Sequence, residues 1–435
     1  MATPTTASAR PVPDTTGARD EKPNALDLQL QDTAYWNQHS TEVLASLLAS
    51  SGSYTPSEID SHIDFVQRNV IPCLGPEPAR AHAPTYYLAP APSPFEPSLN
   101  FTDASGPNPA VRFTFELLGP NGCSPSDPVA AHAATQLLPR LAAVTPGTDM
   151  RWVNAFAPAL LLTDQEAADL KDKLPPWLKR VPQCAVAYDL DGGERAMKVY
   201  FYPMVKHIAT GKRSEELVFD VIRRLEPLGP KFGPALDVLE DYLRGADEAA
   251  PIKVLGIDAV DPEVTKARLK VYMRRKSTAF NVVRDAVTLG GRVVDPETLK
   301  GLEVLKGIWH LLLDEPEGIA DDNWNKPPND PTNEHWGLAL GIELTPGRAT
   351  PQVKVYVPAW QYARSDAAMV KNMEKVFQTR NWLWGKDGRY GKMLEGAFGK
   401  HQVEMDRVLH SYISFAYTEK TGLYMTTYFA GPAEA

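Results

Sequence analysis

Lys198-Val199-Tyr200 recurs twice in this chain, as Lys270-Val271-Tyr272 and as Lys354-Val355-Tyr356. Each triplet lies in a run that alternates between apolar and polar residues. Such alternation is typical of a β-strand, in which successive side chains point to opposite faces. Tyr202 continues the polar set of the first run, and Arg268 begins that of the second. Each run is therefore predicted to have one apolar face and one face that carries cations and phenols.

The spacing of the triplets indicates a repeat. Two shorter runs show a similar alternation, one around Arg112 and one around Thr426. The five anchor positions, 112, 198, 270, 354 and 426, are separated by 72 to 86 residues. A period of about 80 residues predicts one supersecondary unit that is repeated about five times.

Two interpretations of the polar faces are open at this point. They could form the wet side of an open sheet whose other side is covered by helices. They could instead line the inside of a closed barrel that has its helices outside. Three identical cation–phenol triplets at repeat spacing favour the barrel, because a solvated face does not need the same pair each time.

Composition limits the classes of function. The chain has 435 residues, of which 43% are hydrophobic, and a formal net charge of −9. A negative chain is not expected to bind nucleic acid through bulk electrostatics, so any bound anion needs a local cluster of cations. The three cysteines show no paired spacing, which argues against a disulfide framework or a zinc site and favours a reducing, cytoplasmic location.

The order of predicted elements is consistent with a single repeated unit. Thr55 and Glu58 form a capping box that opens a helix, and residues 185–202 read as a hairpin around Asp191-Gly192-Gly193. Further strand pairs are predicted at about 94–115, 253–274, 337–358 and 411–430. Helical patterns separate the pairs, which gives the order helix, strand, strand, helix.

No convincing linker interrupts this order. Residues 28–431 are therefore predicted to be one domain, and residues 1–27, rich in Ala, Thr, Pro and charge, a disordered tail. The tail lacks the apolar core of a secretory signal. No apolar run approaches the ~20 residues that a membrane-spanning helix needs, so no membrane partner is expected.

A barrel interior of this kind would concentrate positive charge. The inward cations would be Arg112, Lys198, Arg268, Lys270 and Lys354. Glu96 is the main inward carboxylate that the sequence suggests, and burying unpaired charges costs several kcal/mol each. An anionic ligand such as a diphosphate would resolve the imbalance. DDxxD, Walker A, GxGxxG and HExxH motifs are absent from the sequence, so no metal site is predicted and Mg²⁺ or Ca²⁺ is not expected to be obligatory.

Tyrosines and one acid suggest what the diphosphate carries. Tyr200, Tyr272, Tyr356 and Tyr428 would surround the cations, and aromatic faces attract a positive charge by roughly 0.5–2 kcal/mol each. They suit the carbocation that forms when an allylic diphosphate ionises. The alternative is that these amphipathic side chains only pack the interior of the barrel. Glu96 could accept a hydrogen bond from an N–H or O–H of an aromatic acceptor, or form a structural salt bridge.

Seven motifs, in this order, resemble those of the fungal aromatic prenyltransferases of the dimethylallyltryptophan synthase type. The resemblance runs from about Tyr35 to Phe429. The motifs are Pro94-Phe95-Glu96-x-Ser98-Leu99-Asn100, Arg112-Phe113-Thr114-Phe115-Glu116, Lys198-Val199-Tyr200-x-Tyr202-Pro203, Arg268-Leu269-Lys270-Val271-Tyr272, Thr288-Leu289-Gly290-Gly291, Lys354-Val355-Tyr356 and Tyr412-Ile413-Ser414-Phe415-x-Tyr417.

The resemblance implies an α+β fold, an antiparallel ten-stranded β-barrel surrounded by a ring of helices and built of five αββα repeats. It implies that Glu96 is the catalytic residue and accepts a hydrogen bond from the indole N–H. It assigns diphosphate binding to Arg112, Lys198, Arg268, Lys270 and Lys354. It assigns shielding of the carbocation to Tyr200, Tyr272, Tyr356, Tyr417 and Tyr428. It assigns walls of the acceptor pocket to Leu88, Tyr202 and Lys253.

Some positions depart from the family pattern. Ala185 stands where tryptophan C4-prenylating members have a lysine proposed to take the final proton, and Val287 replaces a usual tryptophan. Lys354 stands where the tryptophan C4 type has glutamine, and lysine is common at this position among cyclic-dipeptide enzymes. Lys253 matches an arginine that binds the substrate carboxylate in tryptophan-using members. These mixed signals leave the acceptor open.

The predicted function is metal-independent transfer of a dimethylallyl group from dimethylallyl diphosphate to an indole-type acceptor. Tryptophan derivatives, cyclic dipeptides and indole alkaloids are the candidate acceptors. The alternatives are prenylation of a phenolic or xanthone-type acceptor, and a non-catalytic barrel that binds an anionic hydrophobe. The predicted partners are small molecules, and the protein is expected to be a monomer or a homodimer.

Overall fold

The structure is a computed structural model of the full chain. The residues that it describes are 25–78, 80, 87–88, 93–104, 108–124, 126–175, 178, 180–244, 251–263, 267–318, 321–405 and 409–430.

The centre of the molecule is a closed barrel. Its strands are β1 (Phe95–Thr102), β2 (Ala110–Glu116), β3 (Cys184–Asp191), β4 (Glu194–Phe201), β5 (Val254–Asp258), β6 (Leu269–Arg275), β7 (Leu338–Leu344), β8 (Gln352–Val357), β9 (His410–Thr418) and β10 (Gly422–Phe429). Each strand pairs antiparallel with the next in sequence, and β1 pairs with β10 to close the ring. The prediction of a ten-stranded antiparallel barrel is confirmed, and the open sheet is excluded.

Helices flank the strand pairs. They are α1 (Ala25–Trp36), α2 (Glu42–Ser51), α3 (Pro56–Phe65), α4 (Ala133–Ala143), α5 (Arg151–Leu160), α6 (Asp164–Leu170), α7 (Pro203–Thr210), α8 (Ser214–Arg223), α9 (Gly233–Leu243), α10 (Phe280–Val287), α11 (Pro296–Leu312), α12 (Asp366–Thr379), α13 (Arg389–Phe398) and α14 (Lys400–Met405). The capping box at Thr55 opens α3 as predicted. None of these described helices combines the length and apolar character needed to cross a bilayer.

The amino-terminal helix begins earlier than expected. The sequence predicts one helix over about 31–50, but α1 starts at Ala25, and a π-helical turn at Asn37–Thr41 joins it to α2. Good helix formers in the run Ala25-Leu26-Asp27-Leu28-Gln29-Leu30 account for the earlier start. Residues 1–24 of the predicted tail lie outside the described residues. The limits of the single domain, 28–431, stay a prediction.

The hydrophobic core lies between the barrel and the helices. Val199, Val271 and Val355, the central residues of the three triplets, are buried there with the apolar faces of the helices. Because strand side chains alternate, the lysine and tyrosine on either side of each valine must point into the barrel. The apolar positions thus fix the barrel wall, and the polar positions fill its lumen.

Candidate active site

The five predicted cations lie together at one end of the lumen. Arg112, Lys198, Lys270 and Lys354 occupy β2, β4, β6 and β8, and Arg268 directly precedes β6. Their closeness is visible at Lys354, because Lys270, Arg112 and Lys198 all act to lower its pKa. The strand register therefore gathers residues that are far apart in sequence into one cationic cluster.

Carboxylates share this end of the lumen, so the expectation that Glu96 is the main inward acid is wrong. Asp189, two residues before the end of β3, forms ion pairs with Arg112 (Nε to Oδ1, 3.2 Å) and with the ammonium group of Lys198. Asp258 at the end of β5 accepts a hydrogen bond from Nε of Arg268 at 2.9 Å.

A third carboxylate, Glu343 on β7, lies between Arg268 and Lys270. Its Oε2 is 3.2 Å from Nη1 of Arg268 and 3.3 Å from Nζ of Lys270. Although burial opposes ionisation, the neighbouring cations lower the pKa of Glu343 and likewise those of Asp189 and Asp258. Five cations against three ionised carboxylates leave a formal charge of +2, which favours an anionic ligand.

Lys354 differs from the other cations, because it forms no ion pair with a carboxylate among the described residues. Its Nζ donates to Oγ1 of Thr426 at 3.2 Å and lies 4.5 Å from the ring centroid of Tyr424. Burial, reinforced by the neighbouring cations, lowers the pKa of Lys354 well below its usual value. An arriving anion would supply the charge partner that Lys354 lacks.

Four of the predicted tyrosines form a belt across the lumen. Ring centroids are 6.1 Å apart between Tyr200 and Tyr272, 5.8 Å between Tyr272 and Tyr356, and 5.9 Å between Tyr356 and Tyr428. These residues sit on alternate strands, so the rings meet inside the barrel rather than along one strand pair. Burial raises the pKa of each phenol well above 10, which keeps the belt uncharged.

Glycines on the intervening strands make room for this belt. A Cβ atom added at Gly256 of β5 would lie 2.9 Å from Cε1 of Tyr200. One added at Gly341 of β7 would lie 3.0 Å from Cε2 of Tyr356 and 3.1 Å from Cε1 of Tyr272. The even-numbered strands therefore supply the rings, and the odd-numbered strands leave the space.

Tyr417, the fifth predicted shield residue, lies apart from the belt. It packs against Gly301 of α11, where an added Cβ atom would lie 2.9 Å from the Cβ of Tyr417. Nζ of Lys300 lies 5.7 Å from the centroid of the Tyr417 ring. Tyr424, which the sequence did not single out, faces the cations instead, and its hydroxyl accepts a hydrogen bond from Nη1 of Arg112 at 2.6 Å.

The electronic state of Tyr424 is unusual among the lumen phenols. Burial alone would raise its pKa, but Arg112, Lys270 and Lys198 together lower it below 10. Tyr424 therefore belongs to the cationic cluster and not to the neutral belt. In the sequence, its only sign is that it shares the parity of Thr426 and Tyr428 on β10.

Glu96 lies beyond the belt, buried at the start of β1. The hydroxyl of Ser411 donates to its Oε1 at 2.6 Å. The β9–β10 register shifts here, because Tyr428 pairs with Tyr412 but Phe429 pairs with His410. Ser411 is therefore the extra residue of a β-bulge. Bulges change the direction of a side chain, which lets Ser411 reach the carboxyl group. Burial raises the pKa of Glu96 to about 8, and the Ser411 hydrogen bond partly opposes that rise.

A second buried acid, Glu116, fixes the wall beside Glu96. Its Oε1 accepts hydrogen bonds from the backbone N–H groups of Tyr87 (2.5 Å) and Leu88 (2.8 Å). Burial raises the pKa of Glu116 to about 7. The ring of Tyr202 packs on that of Tyr87, with 4.9 Å between centroids, so Tyr202 supports the wall from behind.

A cavity of about 130 Å³ occupies this end of the barrel. Leu88 and Lys253, which the resemblance assigns to the acceptor pocket, line it, and so do Glu96, Arg274 and His335. Arg274 and His335 were missed. Arg274 continues the inward set of β6 two residues after Tyr272, a signal that the alternation already contained, whereas His335 lies in a loop that no periodic pattern describes.

The lumen thus has three levels along its axis. One end holds the cationic cluster, the middle is a neutral aromatic belt, and the other end offers a carboxyl group beside a cavity. This arrangement of three levels can hold a diphosphate ester, shield a cation formed from it and present a nucleophile whose N–H or O–H faces Glu96. Among the described residues, no three His, Cys, Asp or Glu side chains are grouped so that they could hold a metal ion.

Comparisons with known proteins agree with this arrangement. The sequence profile of the tryptophan dimethylallyltransferase family matches residues 32–392. The indole diterpene prenyltransferase terF of Tolypocladium album is 41% identical over 92% of this chain and 93% of its own length. The indole prenyltransferase tdiB of Emericella nidulans is 38% identical over 92% of this chain and 96% of its own.

Among solved structures, that of AnaPT from Neosartorya fischeri is similar, with a TM-score of 0.78 and 25% identity over 93% of this chain and 95% of that one. The family profile spans most of the chain, and the relatives align over nearly their full lengths. The chain therefore belongs to the tryptophan dimethylallyltransferase family, and it is a prenyltransferase that acts on aromatic acceptors.

Proposed function

We propose that this enzyme transfers a dimethylallyl group from dimethylallyl diphosphate to the ring of an indole, and that its acceptors are indole diterpenes. The observation that carries the proposal is the neutral tyrosine belt between the cationic cluster and Glu96. The acceptor class is supported by terF, an indole diterpene prenyltransferase with 41% identity.

The cationic cluster is proposed to bind the diphosphate. Arg268 offers a planar guanidinium to phosphate oxygens, and Lys270 and Lys354 act as point charges. Positive side chains outnumber negative ones at this end, and a bound polyanion would compensate the excess positive charge. We infer that these side chains, rather than an obligatory metal ion, neutralise the leaving group.

Ionisation then places a cation beside the belt. The C1–O bond breaks and its electron pair leaves with the diphosphate, which the cluster stabilises. The rings of Tyr200, Tyr272, Tyr356 and Tyr428 face the allylic cation and keep water away from it. Tyr417 is assigned no shielding role in this proposal, because it packs outside the belt against Gly301.

The indole is proposed to bind at the other end, with its N–H donating to Glu96. Leu88, Lys253 and, behind Tyr87, Tyr202 form its surroundings. A carboxylate at the N–H raises the electron density of the ring, which attacks C1 of the cation and forms the C–C bond. The attacked ring carbon then gives its proton to an oxygen of the released diphosphate, and the ring regains aromaticity.

Incubation of the purified protein with dimethylallyl diphosphate and a panel of indole diterpenes, simple indoles and phenols, in the presence of EDTA, tests the proposal. We expect a C-prenylated indole, whose position of attachment NMR would establish. The absence of prenylated product from every indole, with or without added Mg²⁺, would overturn it.

Glu96→Gln separates catalysis from mere binding. The amide cannot accept a proton or carry the charge, so we expect turnover to fall roughly tenfold or more, as for loss of a positioned acid–base group. Thermal unfolding should be nearly unchanged, since glutamine has the same shape. A barrel that only sequesters an anionic hydrophobe would bind the donor without turnover in either form. If the wild-type enzyme turns over and Glu96→Gln does so at the same rate, Glu96 has no part in the mechanism.

A further inference from the structure

One charged group in the acceptor cavity has no role in the chemistry described above. Arg274 is the last inward residue before the end of β6, and its side chain lines the cavity that contains Glu96. Its Nη2 lies 2.9 Å from Nδ1 of His335 and 3.3 Å from the hydroxyl oxygen of Tyr412. The hydroxyl of Tyr412 is in turn 2.6 Å from the same Nδ1.

These contacts fix the roles of the three groups. Arginine has only N–H donors, so Nδ1 of His335 must accept, and its ring proton lies on Nε2. Burial, together with the positive charges of Arg274 and Lys276, lowers the pKa of His335 well below 6.5, so the ring is neutral. The cluster therefore carries the single positive charge of Arg274, held in place by His335 and Tyr412.

One nitrogen of this guanidinium, Nη1, is buried and makes no hydrogen bond within the described part of the chain. No carboxylate forms an ion pair with Arg274 in the described part of the chain, and the nearby Glu334 is paired with Lys276 at 3.2 Å. Leaving a buried charged donor without a partner costs more than leaving a neutral one, so an oxygen atom of a ligand would stabilise it.

The free donor determines what kind of oxygen fits. A carboxylate binds arginine best through two parallel N–H groups, but the Nη2 side is already engaged by His335 and Tyr412. The two N–H groups left on Nη1 diverge from one nitrogen rather than lying parallel, so they suit a single oxygen atom such as that of a carbonyl or hydroxyl group. Because Arg274 and Glu96 line the same cavity, an acceptor can satisfy both, with an aromatic N–H at Glu96 and an oxygen elsewhere on its skeleton.

We propose that Arg274 is a specificity-determining residue, whose Nη1 donates a hydrogen bond to a neutral carbonyl or hydroxyl oxygen of the acceptor. This inference rests on the proposed function, since it concerns the indole bound at Glu96. It predicts that the enzyme prefers oxygenated indoles to hydrocarbon-substituted ones of the same size. His335 and Tyr412 are positioning residues, because they hold the guanidinium.

A matched acceptor series tests the inference. Indoles that carry a ketone at successive carbons of a 3-alkyl chain are compared with 3-alkylindoles of the same length. A hydrogen bond to a charged donor is worth roughly tenfold or more in affinity. We expect at least one ketone to show a KM roughly tenfold below that of its alkyl counterpart, with kcat similar.

Arg274→Met should abolish this preference, so that each ketone and its alkyl counterpart have similar KM values. Arg275→Met is the matched control, because the next side chain along β6 packs on the ring of Tyr242, 5.1 Å from its centroid, away from the cavity. It should keep the ketone preference. Arg274→Lys retains the charge and should restore part of the preference, which a purely structural role of Arg274 would not explain.

The outcomes are distinguishable from those of the proposed function. Prenylated alkylindoles without any ketone preference in the wild-type enzyme would overturn the inference alone, whether or not the Arg274 variants fold. A ketone preference that survives Arg274→Met would do the same. If the wild-type enzyme prenylates neither series nor any indole of the panel that tests the proposed function, that function fails, and this inference fails with it.

Discussion

At the scale of single residues, the most informative group is Glu96, whose burial raises its pKa to about 8. In the proposed mechanism the ionised form binds the indole N–H. Because a raised pKa keeps the carboxyl protonated below pH 8, the active fraction should grow as pH rises through that value. We expect kcat/KM for the acceptor, which reports the free enzyme, to increase between about pH 6.5 and pH 9.

Ser411 provides the control for this pH dependence. Its hydroxyl donates to Glu96 and lowers the pKa of that group, so Ser411→Ala should move the midpoint to higher pH. Glu96→Gln should remove the rise altogether. A pH profile that is flat over this range in the wild-type enzyme, or a midpoint that Ser411→Ala leaves in place, would mean that Glu96 does not titrate in the rate-determining species.

Residue patterns predicted the cations and four tyrosines, because side chains that alternate over six or seven positions must share a face. They did not predict the acids. Asp258 is the last residue of β5, where alternation runs into a turn and no longer fixes a direction. Asp189 shares the inward parity of Ala185 and Ala187 on β3, so the alternation contained a signal for it. Tyr417 was drawn from family resemblance, although its parity is opposite to that of Tyr412, and Ser411 faces inward because of a bulge that no pattern showed.

At the scale of elements, the belt depends on the missing side chains of β5 and β7. Gly341→Ala would put a Cβ about 3 Å from the rings of both Tyr272 and Tyr356. A misplacement of ~1 Å can cost about 100-fold, so a shift of a few tenths of an ångström should reduce transfer by roughly threefold to tenfold. We expect more of the donor to appear as dimethylallyl alcohol and less as prenylated indole, measured by chromatography of both products.

Gly307→Ala on α11 is a suitable control for this change. A Cβ at Gly307 meets no atom within 4 Å, and alanine favours a helix over glycine by about 1 kcal/mol. The product ratio should stay as in the wild type. If Gly341→Ala also leaves the ratio unchanged, then the fit of the rings is not what excludes water.

Element positions were predictable where the pattern was strong. The hairpin over 185–202 and the strand pairs near 337–358 and 411–430 appear within a few residues of their expected limits. Helix α7, which starts at Pro203, went unrecognised because it follows β4 with one residue between them. Short connections of this kind leave no turn signal that separates a strand from the helix after it.

At the scale of the whole molecule, the barrel is held shut at the β1–β10 seam. Asp103, just after β1, accepts hydrogen bonds from the backbone N–H of Leu423 at 2.8 Å and from Nε1 of Trp382 at 3.2 Å, and it forms an ion pair with Arg380. Asp103→Ala leaves these donors without their partner. We expect a loss of about 1–3 kcal/mol, visible as a lower thermal midpoint, with turnover at low temperature largely retained.

Asp64→Ala is the matched control, since Asp64 pairs with Arg68 where both side chains are more than half exposed. Such surface pairs contribute about 0–1 kcal/mol, so the midpoint should hardly move. Equal effects of the two changes would show that Asp103 does not stabilise the seam more than a surface ion pair does.

The closure itself could be inferred from the repeat, but its register could not, because the pairing of first and last strands depends on contacts 320 residues apart.

The seam also has a consequence for biosynthesis. Nine of the ten strand pairings join neighbours along the chain and can form as the polypeptide leaves the ribosome, whereas the tenth must wait for β10. Until that strand is translated, the tyrosines face an open trough to which bulk water has access. A nascent copy that had already captured a donor would lose any carbocation to hydrolysis, so productive turnover begins only once translation has supplied β10.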